Sequence, residues 1–263
     1  MKLAWATDVH LDLIPPREVE RFADAVAAEQ PDALALSGDI AEAPTLEAIL
    51  EVLAARLDRP IYFVLGNHDF YRGDIASVRA RAAGLAGRSA HLVWLPAAGV
   101  VPLSRSTALV GVDGWGDGRL GDFAGSRIDL ADWVLIADLR LARDARLARL
   151  RALGDESAAE LRRLLGQALA GFEEVVVVTH VPPFREAAWH EGRPSDDQWL
   201  PWFSCAATGE VLLEAAASHP DRAILVLCGH THGSGEHAPA PGLRVLTGGA
   251  TYGAPELQRT FLF

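Results

Sequence analysis

Residues 1–65 alternate between short apolar runs and longer amphipathic segments, and this alternation limits the chain to few folds. Buried strands are predicted for three of the apolar runs, Leu3–Ala6, Ala33–Leu36 and Ile61–Leu65. Helical spacing of apolar residues marks the two segments between them, about Glu18–Glu29 and Thr45–Leu57. A β-α-β-α-β order predicts a parallel sheet with right-handed crossovers, so the carboxyl ends of the three strands meet at one edge.

The rest of the chain continues the α/β pattern. Further strands are predicted at His91–Leu95, Ala108–Val112, Val175–Val178, Ala223–Leu227, Leu243–Thr247 and Arg259–Phe263. Further helices are predicted at about Asp74–Leu85, Leu130–Leu153 and Glu156–Ala170. The last two helices either cover a sheet or form an insertion over a site. Without a repeat or an evident linker, we expect one domain over residues 1–263.

Polar side chains follow five of the predicted strands, at the point where each strand ends. They are Asp8 and His10, then Asp39, then Asn67, His68 and Asp69, then His180, and finally His230 and His232. A lone histidine at a strand end is more often structural than functional. Core packing alone would rarely place such polar residues at several equivalent strand ends. In open α/β sheets, ligands also bind at this edge. The pattern therefore predicts a functional site.

The residue types in this pattern are metal ligands. Four histidines, two aspartates and one asparagine supply nitrogen and oxygen atoms without thiolate, which suits divalent manganese, iron or zinc. Seven ligands exceed the four of a structural zinc site. Two ions that share a carboxylate use such a set well, and paired ions are a known hydrolytic arrangement.

The order of these motifs resembles that of the calcineurin-like metallophosphoesterases. The motifs are Asp8-x-His10, Gly38-Asp39, Gly66-Asn67-His68-Asp69, Thr179-His180 and Gly229-His230-x-His232. The resemblance spans residues 8 to 232 and implies a four-layer α/β/β/α sandwich, with two mixed sheets face to face and helices outside. One departure is Glu42, which stands where many members carry aspartate or asparagine.

The resemblance also implies roles for the matching residues. Asp8, His10 and His232 would hold one metal ion, and Asn67, His180 and His230 would hold the other. Asp39 would bridge both ions. His68 would contact the substrate as a general acid or as a stabiliser of transition-state charge, with Asp69 orienting its ring.

The expected activity is hydrolysis of a small phosphodiester or phosphomonoester by attack of a metal-bridging hydroxide. The alternative is a non-catalytic scaffold of the same fold that binds other proteins. A di-iron centre that activates oxygen is less well supported by a set rich in histidine. Serine-hydrolase and P-loop chemistry lack support, because neither a GxSxG nor a GxxxxGK[ST] block occurs.

Composition narrows the expected partners. The net charge of −11 argues against stable nucleic-acid or membrane binding and leaves a small phosphorylated substrate. Asp8 comes too early for a signal-peptide apolar region, and no apolar run approaches the roughly 20 residues that span a bilayer. The two cysteines, Cys205 and Cys228, lack CxxC spacing, so a reducing, cytoplasmic location is expected.

Substrate contacts are expected from two regions, about residues 113–170 and 182–204. Both regions carry aromatic and arginine residues outside any regular periodicity. The indole rings would stack on a base or an aromatic leaving group, and the guanidinium groups would contact a phosphate. The residues proposed for these contacts are Trp115, Arg119, Trp189, Arg193 and Trp199, with Trp202 as a further candidate for stacking.

Overall fold

The computed structural model describes all residues from Met1 to Phe263. The strands are β1 (Lys2–Ala6), β2 (Ala33–Ser37), β3 (Ile61–Val64), β4 (Leu92–Trp94), β5 (Val101–Pro102), β6 (Thr107–Val112), β7 (Glu174–Thr179), β8 (Trp189–His190), β9 (Arg193–Pro194), β10 (Ala223–Cys228), β11 (Gly235–Ala240), β12 (Leu243–Thr247) and β13 (Arg259–Leu262). The α-helices are α1 (Pro16–Ala28), α2 (Leu46–Leu57), α3 (Ile75–Arg88), α4 (Leu95–Ala98), α5 (Asp132–Leu135), α6 (Arg143–Gly171), α7 (Leu200–Phe203) and α8 (Ala206–Ser218).

Two large mixed sheets form the centre of the molecule. The first has the order β13-β1-β2-β3-β4, with β1 to β4 parallel and β13 antiparallel to β1. The second has the order β11-β12-β10-β7-β6-β5, in which the four central strands are parallel and both edge strands antiparallel. Strands β8 and β9 pair separately as a small hairpin. The predicted β-α-β-α-β order of the first sheet is confirmed.

Side-chain alternation along the strands builds a four-layer sandwich. Leu3 in β1 and Val176 in β7 belong to one buried cluster, which lies between the two sheets. Their neighbours Ala4 and Val177 point to the opposite faces, where they join separate clusters. Helices α1, α2 and α3 cover the first sheet, whereas α6 and α8 cover the second. The predicted α/β/β/α architecture is confirmed.

The segment between β6 and β7 differs from the prediction of two helices. A single helix, α6, runs from Arg143 to Gly171, and the chain before it is a loop that contains the short α5 and a 3-10 turn at Ala137–Leu139. Gly154 lies inside α6, where a Cβ atom would come within 2.9 Å of the Cβ of Asp117. The small residue serves close packing. Helix α6 lies against β6, β7 and α8, so it covers a sheet rather than the site.

Smaller differences have local causes. The strand predicted to end at Leu95 ends at Trp94, because Leu95 and Pro96 begin the short helix α4. Helix α3 begins at Ile75 behind Asp74, whose side chain accepts a hydrogen bond from the Ser77 N–H at 2.9 Å. None of the helices combines the length and the hydrophobicity that crossing a lipid bilayer requires.

Candidate metal centre

The polar residues that follow five of the strands all lie at one edge of the sandwich. Strands β1, β2 and β3 are parallel in the first sheet, and β7 and β10 are parallel in the second. The structure brings together all seven residues predicted as metal ligands, in two clusters that share Asp39.

The first cluster contains Asp8, His10, Asp39 and His232, whose ligand atoms all lie within 4.8 Å of one another. The Nε2 atoms of His10 and His232 are 3.3 Å apart. The Nε2 atom of His232 is 3.4 Å from Oδ1 of Asp8, and the Nε2 atom of His10 is 3.9 Å from Oδ2 of Asp39. Two imidazole nitrogens and two carboxylates therefore converge on one point.

The second cluster contains the other carboxylate oxygen of Asp39 together with His180, His230 and Asn67. The Nε2 atom of His180 is 3.3 Å from Oδ1 of Asp39 and 3.1 Å from Oδ1 of Asn67. The Nδ1 atom of His230 is 2.9 Å from the same asparagine oxygen and 3.2 Å from Nε2 of His180. Asp39 thus offers one oxygen to each cluster.

The donor geometry fits bound divalent ions. Donors that each lie about 2.1 Å from one ion are separated from one another by roughly 3.0–3.4 Å, which most of these pairs approach. The outer nitrogens of two histidines face backbone carbonyls: His180 Nδ1 is 2.9 Å from the Ser37 oxygen, and His230 Nε2 is 3.1 Å from the Trp202 oxygen. Protons on these outer nitrogens leave the inner nitrogens as metal donors.

The backbone at the site adopts a conformation that few residues favour. Left-handed φ angles occur at five of the seven predicted ligands, namely Asp8 at 50°, His10 at 40°, Asp39 at 51°, His230 at 69° and His232 at 57°. Such angles cost energy in non-glycine residues and concentrate at functional sites. Glycine is required at Gly229, because a Cβ there would collide with the Asp8 carboxylate and the Thr7 hydroxyl.

Burial and charge set the protonation states of the metal-free site. Burial lowers the pKa of His10 to about 4. Burial and the nearby charge of His180 lower the pKa of His230 to about 3. For His180, burial is outweighed by the Asp39 carboxylate, which raises its pKa to about 10. Burial alone raises the pKa of Asp39, but the charge on His180 outweighs it and holds that pKa well below its usual range. One imidazolium thus balances part of the negative charge.

Asp69 does not orient His68, so that part of the prediction is wrong. Its Oδ1 accepts hydrogen bonds from the N–H groups of Ile40 (2.8 Å) and Ala41 (2.9 Å), and its Oδ2 accepts one from Gly66 (2.8 Å). The fully buried carboxylate joins the loops that follow β2 and β3. It holds the backbone on which the ligands are mounted.

His68 is oriented by aromatic contacts instead. Its ring stacks on Tyr71, with centroids 4.2 Å apart and an interplanar angle of 27°. Its Nε2 is 3.9 Å from Oδ2 of Asp39, and the residue lines the cavity beside the clusters. The partly exposed imidazole is therefore close to the metal centre and open to a ligand in the cavity.

Asp132 is a site residue that the sequence reasoning missed. Its Oδ2 accepts a hydrogen bond from the Tyr71 hydroxyl at 2.8 Å and another from the Asn67 Nδ2 at 3.3 Å. The amide of Asn67 is thereby held with its oxygen toward His180 and His230. Asp132 lies 65 positions from Asn67, at the start of the short helix α5, and no polar motif in the sequence connects the two residues.

A cavity of about 340 Å³ opens beside the two clusters. This volume is in the range of small-ligand sites. Its lining includes Tyr71, Trp199, Phe203 and Tyr252, and the rings of Trp199 and Phe203 stack with centroids 4.8 Å apart. Phe203 lies edge-on to His230, and Tyr252 contacts His10 across the first cluster. Residues 129–132 and His190 complete the lining.

Of the five predicted substrate contacts, only Trp199 lines this cavity. Trp115 is buried against Phe70, and Trp189 packs on Gly235. Arg119 forms ion pairs with Asp117 and Asp155, and Arg193 is exposed on β9. Trp202 is also buried and donates its indole N–H to Ser126. The sequence placed indole and guanidinium groups in the right loops, but it did not reveal which of them face inward.

The sandwich and its pair of clusters define a metal-dependent phosphoesterase. The sequence model of the calcineurin-like phosphoesterase family matches residues 1–234 of this chain. The chain therefore belongs to that family. No curated protein sequence matches the chain. Glu42, the one departure from the family pattern, forms an ion pair with Arg72.

Solved structures share the fold at low sequence identity. A dimetal phosphatase from Danio rerio is 16% identical with a TM-score of 0.59, covering 95% of this chain and 87% of its own. The phosphopantetheinyl hydrolase of Mycobacterium tuberculosis is 18% identical with a TM-score of 0.63, and the match covers 94% of this chain and 89% of that protein. GAP50, described as an anchor in the inner membrane complex of Plasmodium, is 14% identical with a TM-score of 0.51. The match covers 95% of this chain and 71% of GAP50. At these identities the similarity concerns the fold alone.

Proposed function

We propose that this protein hydrolyses small phosphate esters with two divalent ions of manganese, iron or zinc. The observation that carries the proposal is the position of Asp39, whose two carboxylate oxygens face two separate donor clusters. Asp8, His10 and His232 complete the first ion's site. Asn67, His180 and His230 complete the second.

The residues around the clusters have distinct tasks in this reaction. Bound ions supply a water of lowered pKa and neutralise charge on the phosphate oxygens. His68 lines the cavity within 3.9 Å of Asp39, where its imidazole donates a proton to the departing alkoxide or stabilises its charge. Asp69 holds the two loops together through backbone N–H groups, and Asp132 fixes the amide of Asn67.

Activity and metal content, measured together, test the proposal. We expect purified protein to hydrolyse a chromogenic phosphate ester, to lose that activity on chelation and to regain it with manganese. His68→Ala should keep its metal and lose roughly 10²–10⁴-fold in kcat, which is the usual contribution of a general acid. A metal-loaded protein without turnover of any phosphate ester would instead favour a binding scaffold, and loss of metal in His68→Ala would place His68 among the ligands.

A further inference from the structure

We propose that the substrate is a small phosphodiester whose only negative charge is on its phosphate, with ester groups that are neutral or cationic. This inference rests on the proposed function and names its substrate class. It follows from the types of side chain that line the cavity beside the metal centre.

The cavity contains no side chain suited to a second anionic group. Neither lysine nor arginine lines it, and its only basic side chains are the imidazoles of predicted ligands together with His68 and His190. Recognition of phosphate and carboxylate groups commonly uses the bidentate guanidinium of arginine or the ammonium of lysine. A nucleoside polyphosphate or another multiply charged ester would find no such partner here.

Three arginines in the neighbouring loops are paired with acidic residues, whereas Arg127 and Arg193 are exposed without an ion pair and do not line the cavity. Arg72 contacts Glu42, Arg185 contacts Asp197, and Arg119 contacts Asp117 and Asp155. These pairs engage the guanidinium groups away from the cavity. None of these arginines lines the cavity, so none is placed to bind a second anionic group on the substrate.

Acidic residues add negative charge to the cavity lining. Asp129 is exposed at the cavity, and the buried Asp132 also lines it. Asp8 and Asp39 add two further carboxyl groups close by. A substrate with one negative charge fits these acidic surroundings better than a dianionic monoester does, because like charges repel in a partly desolvated cavity.

Aromatic faces make up much of the remaining wall. Trp199 and Phe203 form a stacked pair on the side of the second cluster, and Tyr252 lies over the first cluster. Aromatic faces favour apolar groups, and they also attract ammonium groups through the ring quadrupole. The carboxylate of Asp129 beside such faces favours a cationic group and disfavours an anionic one.

Three matched diesters test this inference through charge alone. Each releases 4-nitrophenolate from a singly charged phosphate, and the second ester group is choline, neutral 3,3-dimethylbutanol or anionic glycolate. We expect kcat/KM for the choline ester to equal or exceed that of the dimethylbutyl ester and to exceed that of the glycolate ester by roughly 10-fold or more. The monoester 4-nitrophenyl phosphate should also be a poor substrate.

Charge variants at Asp129 connect the preference to the structure. Asp129→Asn should reduce the choline-to-glycolate ratio several-fold, and Asp129→Arg should reduce it roughly 10-fold. Asp221→Asn, at an exposed acid outside the cavity, is the control and should leave the ratio unchanged. Saturation-transfer NMR on metal-free protein gives a readout independent of turnover, with stronger transfer to choline than to 3,3-dimethylbutanol.

The possible outcomes distinguish failure of the proposed substrate class from failure of the proposed phosphoesterase function. Hydrolysis of none of the esters would remove the proposed phosphoesterase function itself. Equal or faster hydrolysis of the glycolate ester or the monoester would overturn the inference and leave the phosphoesterase in place. A choline-to-glycolate ratio that is insensitive to both Asp129 variants would also overturn it.

Discussion

The ring of Tyr71 stacks on the ring of His68, with centroids 4.2 Å apart. The hydroxyl of the same tyrosine donates a hydrogen bond to Asp132, which also accepts a hydrogen bond from the amide of Asn67. One residue therefore connects the predicted general acid with the residue that fixes a predicted metal ligand. This arrangement gives the ring and the hydroxyl of Tyr71 separable effects.

Removing the ring of Tyr71 should impair catalysis more than removing its hydroxyl. Tyr71→Leu removes the surface against which His68 is held, and we expect kcat to fall roughly 10-fold or more, because misplacement of a catalytic group is costly. Tyr71→Phe keeps the stacked ring and should stay within about 3-fold of wild type. Metal content, measured in parallel, should be unchanged in Tyr71→Phe. Equal losses in both variants would contradict a role for the stacked ring.

Loss of the Asp132 carboxyl group should weaken the second metal site. Without it, the amide of Asn67 is free to rotate, and removal of such supporting groups typically costs about 10–100-fold in metal affinity. We therefore expect that loss for Asp132→Ala in a competitive titration with a chelating dye. Asp132→Asn retains an oxygen acceptor and should recover much of the affinity. If Asp132→Asn is as weak as Asp132→Ala, the negative charge matters and not the hydrogen bond.

Replacement of Asp69 should act on stability rather than on chemistry. Asp69→Ala leaves three buried backbone N–H groups, those of Ile40, Ala41 and Gly66, without their acceptor. At about 1–3 kcal/mol for each unsatisfied group, the free energy of unfolding should fall by roughly 3 kcal/mol or more. Urea unfolding of metal-free protein measures this change. A loss below about 1 kcal/mol would show that water replaces the carboxylate.

Metal binding should release at least one proton at neutral pH. In the metal-free protein the pKa values of His10 and His230 are lowered to about 4 and about 3, so these residues are already unprotonated. His180, with a pKa raised to about 10, carries a proton that a metal ion displaces. His232 adds to the count, because Asp8 outweighs burial and raises its pKa. Apparent affinity should therefore rise with pH between about 6 and 9. Calorimetry in buffers of different ionisation enthalpy counts the protons, and a count near zero would contradict a charged His180.

The fold and the convergence of the predicted ligands were predictable because both follow from local patterns. Apolar strands followed at once by polar residues, as at Leu65 to Asn67, specify the strand and its functional end together. The parallel order then determines that the ends of β1, β2 and β3 meet.

What the sequence did not reveal depends on contacts between distant residues. The partners of Asp69 at Ile40 and Ala41 lie 29 and 28 positions away, so its adjacency to His68 suggested the wrong role. The sequence predicted two helices with a break near Gly154, where the structure has one helix that packs closely against Asp117. The inward-facing residues of the loops depend on loop conformation, which has no periodicity to read.

Metal stoichiometry tests most directly whether Asp39 serves two metal ions at once. We would measure metal per chain by elemental analysis for wild type, Asp39→Ala and the control Asp221→Ala after manganese loading and desalting. The structure predicts about two ions for wild type and the control, and loss of both ions in Asp39→Ala, because its two oxygens face different clusters. Retention of two ions by Asp39→Ala would contradict the shared site.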